Sequence, residues 1–547
     1  MKKQSRRDFL STVGQGAVAA TALSLLPSRV RAEVEKKNWN VLYFTVDDLG
    51  TKIGAYGHTQ CITPRVDAFA DESLLFERCF CQVAVCTPSR TSIITGIRPE
   101  SSGLITLEHE PWQEALPGAV SLPRHFKDNG YYTSTVGKIV DPRGGEMDDP
   151  WSFEDTSAQW GIYTADKVLD AMDDLKANQP FFMATGFEQP HCPWNPTEES
   201  LALYDVDCIG PEGPGRDLPN NHLPECSGIN TTTPSEAQVR DMTMRYFASV
   251  TDVDREFGRV LDKLEALGLA DSTVVIFWCG DHGYSLGDTG TWGKWNNYMP
   301  STRVPLIMRI PGMDNTGAHA QGIVEVVDLY PTLVDLCNLP QPPQTLQGAS
   351  FLPLFDKPER TWKPAAFSLW ATENRSVKTE EYNYIRYQEE GGYTYKQLFN
   401  IIDDPRESEN IADSEPEVVA QMDKWLEDGW EHALPVAGTV TTAIVMPPTP
   451  SGVPTDPACL ADTDTDTDTD TDTDSQIDTD MAPDTDTDSQ SESGSTDESC
   501  GCSVAVGSSL STNGILASAA LAGAGLLLTR KNKINNTEKT EKTSEEN

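Results

Sequence analysis

An α/β protein built on a large, mixed but mainly parallel sheet is the fold class this sequence predicts. Three observations predict it. Between Asn40 and Cys279, short apolar β-rich runs recur, of the kind buried on both faces of a parallel sheet. Each run stops at a Gly or a carboxylate, at the strand end where α/β sheets place their ligands. The chain, at 547 residues, is also longer than one ordinary domain and has ample length for a large core.

Taken in order, the first run is Asn40–Val46, and it ends in Asp47-Asp48-Leu49-Gly50. Adjacent carboxylates repel, and a hard divalent ion bound through oxygen relieves that repulsion. A polar turn with solvated aspartates is the alternative. The next landmark runs from Val83 to Gly96, where Cys86 closes an apolar stretch and Pro88 sits at an expected helix start. Proline is tolerated there because its missing N–H has no partner anyway. Thr91–Thr95 is expected to open that helix. A helix start offers free N–H groups and partial positive charge to an oxyanion, and Arg90 adds a planar cationic fork. On chemistry alone, Cys86 is either a polarised thiol at an anion site or a buried structural cysteine.

Three more runs follow. Tyr131–Val136 leads into Gly137-Lys138, and Pro180–Phe187 leads into Glu188-Gln189-Pro190-His191-Cys192-Pro193. Thr273–Cys279 ends in Gly280-Asp281-His282-Gly283, and a Gly-rich stretch from Gly287 then reaches Lys294. A lone Lys or His is ordinarily a solvated surface group. Lys138, His191 and Lys294 instead sit just past a strand end or in a Gly-rich loop, as active-site groups do. Trp194, Trp292 and Trp295 either stack on a sugar ring or pack in the core.

Cys86-Thr87-Pro88-Ser89-Arg90, followed by Thr95-Gly96, resembles the signature of type I, formylglycine-dependent sulfatases. The motifs Pro-His-x-Pro, Gly-Asp-His-Gly and Trp-x-Lys, in that order, resemble the iduronate 2-sulfatase-like branch. The resemblance spans roughly residues 38–435. It takes in the helix-start motif Val326–Leu333 and the turn Asp404-Pro405-Arg406-Glu407-Ser408-Glu409-Asn410.

That resemblance implies an alkaline-phosphatase-like fold with a smaller C-terminal subdomain from about residue 340. It implies that a formylglycine-generating maturation enzyme oxidises Cys86 to 3-oxoalanine, whose hydrate attacks sulfur with one hydroxyl and expels sulfate with the other. A Ca²⁺ held by Asp47, Asp48, residue 86, Asp281 and His282 is implied, although imidazole is a less usual Ca²⁺ partner. Arg90 would assist activation of the hydrate, Asp281 would double as a proton acceptor, and Lys138 and Lys294 would bind the sulfate. His191 would protonate the leaving oxygen, since an imidazole titrates near neutrality. One departure stands out. Three residues after Lys138, where the branch has a His against the formylglycine, this chain has Asp141, which would repel sulfate.

The two ends carry other signals. Ser5-Arg6-Arg7-Asp8-Phe9-Leu10, an apolar stretch and Val30-Arg31-Ala32 make residues 1–32 a twin-arginine signal peptide, rather than a membrane span, for which the apolar run is short. Residues 436–503 read as a disordered acidic Asp-Thr-rich linker, with a Ca²⁺-binding tract as the sharper alternative. Residues 504–529 are about one bilayer long and precede a basic-then-acidic tail, 530–547. Cys502-Ser503 with this segment resembles the surface-sorting tags of some Gram-negative bacteria, and a plain tail anchor is the alternative. Either places the enzyme in the cell envelope, facing outward, handled by export and sorting machinery.

The formal net charge is −42, and sixteen Asp and Glu without one Lys or Arg fall between Asp456 and Glu498. The remainder is still acidic, and no basic stripe suggests nucleic acid. A sulfated carbohydrate must therefore be drawn in by local cations. Twelve cysteines in an exported chain permit disulfides, and no spacing reads as a zinc site. Two rivals remain open beside sulfate ester hydrolysis: a surface carbohydrate-binding protein with impaired catalysis, and a phosphoester hydrolase with the same metal site. Substrate choice is expected in loops such as Cys208–Thr233.

Overall fold

The computed structural model describes residues 34–452, apart from residues 108, 146, 157–162, 214–233, 372–373, 389–393 and 436–440. The expected leader, nearly all of the acidic linker, the apolar segment 504–529, the tail and most of the Cys208–Thr233 loop lie outside the described residues. Among those described, no helix is long and apolar enough to cross a membrane.

The expected apolar runs form one eight-stranded sheet. Its order is Ala318–Ala320, Leu74–Phe76, Leu306–Arg309, Thr273–Cys279, Asn40–Val46, Phe181–Phe187, Tyr132–Gly137 and Phe153–Asp155. The Leu306–Arg309 strand is antiparallel to both neighbours, and every other pairing is parallel. The central strand is buried along its whole length and feeds two cores by simple alternation. Leu42, Phe44 and Val46 meet Val253, Phe257 and Val260 of the long helix Glu236–Ala266 on one face. Val41 and Tyr43 belong to the opposite core with Leu329, Leu333 and Leu336. That long helix starts at a capping box, with Ser235 and Gln238 satisfying each other's backbone N–H groups.

A second, antiparallel sheet of four strands, Ala366–Trp370, Asn374–Lys378, Tyr382–Gln388 and Thr394–Asn400, packs on the helix Pro416–Asp428. It begins later than the boundary expected near residue 340, because Phe351, Leu354 and Phe355 belong to the main core. The 404–410 turn is held by Asp404, whose carboxylate accepts the N–H groups of Ser408 and Glu409.

The first described part of the expected 436–503 linker packs on the body. Residues 441–452 run back over it: Met446 is buried, Ala443 N donates to Glu359 O, and Arg78 donates to Ile444 O. A buried guanidinium needs acceptors, and this segment supplies one. Cys192 and Cys208 are each engaged in a disulfide, whereas Cys61, Cys79, Cys81, Cys86 and Cys337 are free and buried.

Candidate active site

Four neighbouring parallel strands end level with one another. Val46 pairs with both Phe187 and Cys279, and Gly137 pairs with Gly186. The residues that follow each strand therefore emerge side by side along one edge: Asp47 and Asp48, Asp281 and His282, Glu188 and His191, and Lys138. Gly137 has φ +83°, and a Cβ there would lie 2.1 Å from Gly186 O, so only glycine lets the Lys138 strand end so close to its neighbour. Asp48 is itself left-handed at φ +62°, a conformation aspartate tolerates better than most, and Tyr246 of the long helix donates to its carbonyl at 2.8 Å.

The helix bearing the cysteine begins earlier than expected. It spans Cys86–Thr95, so Cys86 is its first residue rather than the end of the run before it. Val85 is extended and provides no side-chain cap, and Pro88 falls within the first turn, where its missing N–H costs nothing. Cys86 Sγ thus stands at the positive end of a helix. It lies 3.0 Å from Lys294 Nζ, 3.2 Å from His282 Nε2 and 3.4 Å from Asp47 Oδ1.

Asp47, Asp48, Cys86, Asp281 and His282, all buried, can each aim one donor atom so that all five atoms lie within 4.8 Å of one another. This is the ligand set expected from the sequence. Its chemistry fits a hard divalent cation, since three of the five are carboxylates. Asp48 Oδ2 supports the fit directly, being buried without a hydrogen-bond partner. His282 Nδ1 faces the Gly283 carbonyl at 3.0 Å and must donate to it, which leaves the Nε2 lone pair for the cluster.

Cations bind this carboxylate cluster together. Arg90 Nε donates to Asp281 at 2.9 Å and Nη1 to the carbonyls of Lys138 and Ile139. Its fork is therefore largely spent on the protein, and only Nη2, unpaired and 3.7 Å from Asp47, faces the site. Asp281 also accepts the His282 N–H, so both of its oxygens are engaged. Lys138 Nζ is 2.5 Å from Asp47, and Lys294 Nζ is 2.6 Å from Asp48.

Burial opposes charge on both aspartates, yet Lys138, Arg90 and Lys294 hold Asp47 well below the usual carboxylate range, and Lys294 does the same more modestly for Asp48. Burial, reinforced by Asp281 and Asp47, pushes the Cys86 thiol well above its ordinary range. Burial also lowers the His282 imidazole, which favours the neutral ligand form. His191 is a quarter exposed, with Nε2 4.0 Å from Asp48 and Nδ1 donating to the Cys192 carbonyl.

Every site residue expected from the sequence is gathered here. Two further groups were not singled out. Glu188, buried at the end of its strand, lies 3.8 Å from Lys138 and has Oε2 unpaired. Arg143 forms a double hydrogen bond with Asp141. Their position just past strand ends was the available signal. Of the three tryptophans, Trp194 and Trp292 follow the core alternative, while Trp295 is 42% exposed beside Lys294.

The sulfatase family profile matches residues 39–339, and a profile described as N-sulphoglucosamine sulphohydrolase, C-terminal, matches residues 287–431. The chain belongs to the sulfatase family. It is a sulfuric ester hydrolase with a buried acidic metal-type cluster at Cys86. Human iduronate 2-sulfatase is 30% identical over 410 residues, covering 60% of this sulfatase and 74% of that protein. A sulfatase of Formosa agariphila is 29% identical over 442 residues, covering 71% and 85%.

Solved structures share the fold. BT4656, in complex with its substrate D-glucosamine-2-N,6-O-disulfate, has a TM-score of 0.59 at 21% identity, covering 73% of this sulfatase and 98% of that chain. The phosphonate monoester hydrolase of Agrobacterium radiobacter has a TM-score of 0.61 at 19% identity, covering 74% and 100%.

Proposed function

We propose that this sulfatase removes sulfate from sugars of sulfated polysaccharides or glycosaminoglycans, using a formylglycine made from Cys86 beside a Ca²⁺ held by Asp47, Asp48, residue 86, Asp281 and His282. The placement of Cys86 carries the reading. Its sulfur sits at a helix start, against Lys294 and His282, within a carboxylate cluster. A thiol held protonated is a poor nucleophile, so the residue serves better as a precursor. Once formed, the hydrated aldehyde supplies the attacking oxygen, and the cation supplies charge to bind sulfate.

The chain's own side chains do the rest. Lys138 and Lys294 present two ammonium groups where the sulfuryl oxygens gather charge, a role worth several kcal/mol at a buried site. Arg90 fixes the orientation of Asp281. His191 Nδ1 is committed to a carbonyl, so its Nε2 carries a proton only as the imidazolium. In that state it protonates the departing sugar oxygen. The sugar substrate is supported by iduronate 2-sulfatase among the relatives and by the N-acetylglucosamine-6-O-sulfatase of Bacteroides thetaiotaomicron, 25% identical. The twin-arginine pattern supports export of the folded enzyme to the envelope, with the aldehyde installed beforehand in the cytoplasm by the maturation enzyme.

Assay on a panel of sulfated glycans, with phosphate and phosphonate esters alongside, tests this. Cys86→Ala should abolish sulfate release and leave the circular dichroism spectrum unchanged. Mass spectrometry of the peptide containing position 86 should show the aldehyde when the maturation enzyme is coexpressed. Undiminished turnover by Cys86→Ala, or a persistent thiol in active protein, defeats the proposal. Glycan binding without turnover would favour the carbohydrate-binding rival, and faster phosphoester than sulfate turnover the other.

A further inference from the structure

Asp141 stands where a sulfate-repelling carboxylate was expected, and its surroundings change its meaning. Asp141-Pro142-Arg143-Gly144 is a turn by its chemistry, with Asp first, Pro second and Gly fourth. The structure closes it as such, with Gly144 N donating to Asp141 O at 2.9 Å and Arg143 N to Asp141 Oδ1 at 3.1 Å. The turn is seated on the helix that carries the nucleophile position. A Cβ on Gly144 would come within 2.9 Å of Thr87 Cγ2, the residue next to Cys86.

The Asp141 carboxylate is buried and takes Arg143 Nε at 2.8 Å and Nη2 at 2.6 Å, with Lys138 Nζ at 3.9 Å on its other side. Burial disfavours its charge, but the hydrogen bonds from Arg143 and the Lys138 ammonium hold it ionised below the usual range. A chain of alternating charge therefore runs outward from the cluster: Asp47, Lys138, Asp141, Arg143. Asp47, Lys138 and Asp141 are all buried, and the Arg143 side chain, at the end of the series, is 45% exposed. Arg143 Nη1 has no acceptor among the described residues, and its guanidinium still feels Cys86 and Asp47. Two of its nitrogens are fixed by a buried partner, so the remaining edge is held with little freedom left to lose.

We infer that Arg143 is a specificity-determining residue, positioned by Asp141, that binds a second anionic group of the substrate next to the scissile sulfate. That group is an oxyanion on the same or the adjoining sugar, either a carboxylate or a second sulfate, since a planar fork with a free edge matches both. The inference rests on the sulfated-sugar reading above. Lys138 and Lys294 already serve the inner anion, and Arg143 is the next cation outward.

The test compares wild type, R143Q and R143K on an aryl sulfate with one anionic group, a monosulfated uronide, its carboxyl-reduced analogue and a disulfated sugar. R143Q should lower the kcat/KM ratio of doubly anionic sugar over aryl sulfate by roughly 10- to 100-fold, chiefly through KM, as expected for a lost charge-assisted contact. R143K should recover part of it. D141N should shift the ratio in the same direction by freeing Arg143. A gap between wild type and R143Q that closes on the carboxyl-reduced analogue assigns the carboxylate, and a gap that persists on the disulfated sugar assigns the second sulfate. An unchanged ratio, or equal losses on all four substrates, overturns the inference. Titrating the same sugars into Cys86→Ala with and without R143Q reads the contact without turnover. Failure of the formylglycine reading is thereby told apart from failure of this one.

Discussion

Around Lys138 three carboxylates share one ammonium: Asp47 at 2.5 Å, Glu188 at 3.8 Å and Asp141 at 3.9 Å. Asp47 has further cations and Asp141 has Arg143, whereas Glu188 leaves one oxygen unpaired. Burial pushes its carboxyl up to about 7, with Lys138 opposing and Asp47 adding to the rise. The folded protein then keeps that proton to near pH 7, while the unfolded chain loses it near 4.5. Native stability from this group falls as pH rises across that window. Glutamine does not titrate. E188Q should therefore melt higher than wild type at pH 8 in EDTA, with the gap shrinking below pH 5. Equal melting temperatures at pH 8 would mean that the fold does not raise the Glu188 carboxyl above its unfolded value.

Among the elements, the helix from Cys86 and the small antiparallel sheet are joined through one buried carboxylate. Glu325 accepts both Arg98 Nη groups, Lys363 Nζ at 2.8 Å and the Phe367 N–H at 3.0 Å, while Arg98 reaches the Gln347 carboxamide with its backbone N–H. Burial opposes ionisation of Glu325, but Arg98 and Lys363 override it and hold the carboxyl far below its ordinary 4.5. Its stability is present above pH 4.5 and lost as pH falls from there toward the folded value. E325Q should cost about 3–5 kcal/mol at pH 7, because it strands two buried cations. Urea unfolding should show that cost narrowing below pH 4.5. The sequence marked only Val326–Leu333 nearby, since an ion network among residues 98, 325, 328 and 363 has no local pattern.

Across the whole molecule, the last described residues close over the body that the first strands begin. Arg78 donates to Ile444 O at 2.8 Å and Thr449 N to Tyr56 O at 2.8 Å, while Met446 is buried with Phe80 and Ile323. A chain ended at residue 452 keeps these contacts. One ended at residue 435 should lose roughly 2 kcal/mol for Met446 alone, more because Arg78 loses one of its acceptors, as read by thermal melting. Identical melts of the two truncations would show that the segment contributes nothing.

Much of the fold was legible because its signals are local. The runs Asn40–Val46, Phe181–Phe187 and Thr273–Cys279 are mostly apolar, as strands inside a parallel sheet are. The metal-type residues were legible because Asp47-Asp48 and Asp281-His282 each follow such a strand at once. The helix start was misplaced, since Val85 is no recognisable cap and Cys86 has no helix-start character of its own.

Four central strands, the family motifs and the side chains at those strand ends are all written in short stretches of sequence. The register that levels those ends belongs to the folded sheet, and with it the sharing of Lys138 by three carboxylates and the pairing of Asp141 with two cations. Through-space charge depends on distance, and distances between residues so far apart in the chain exist only once the sheet has set them.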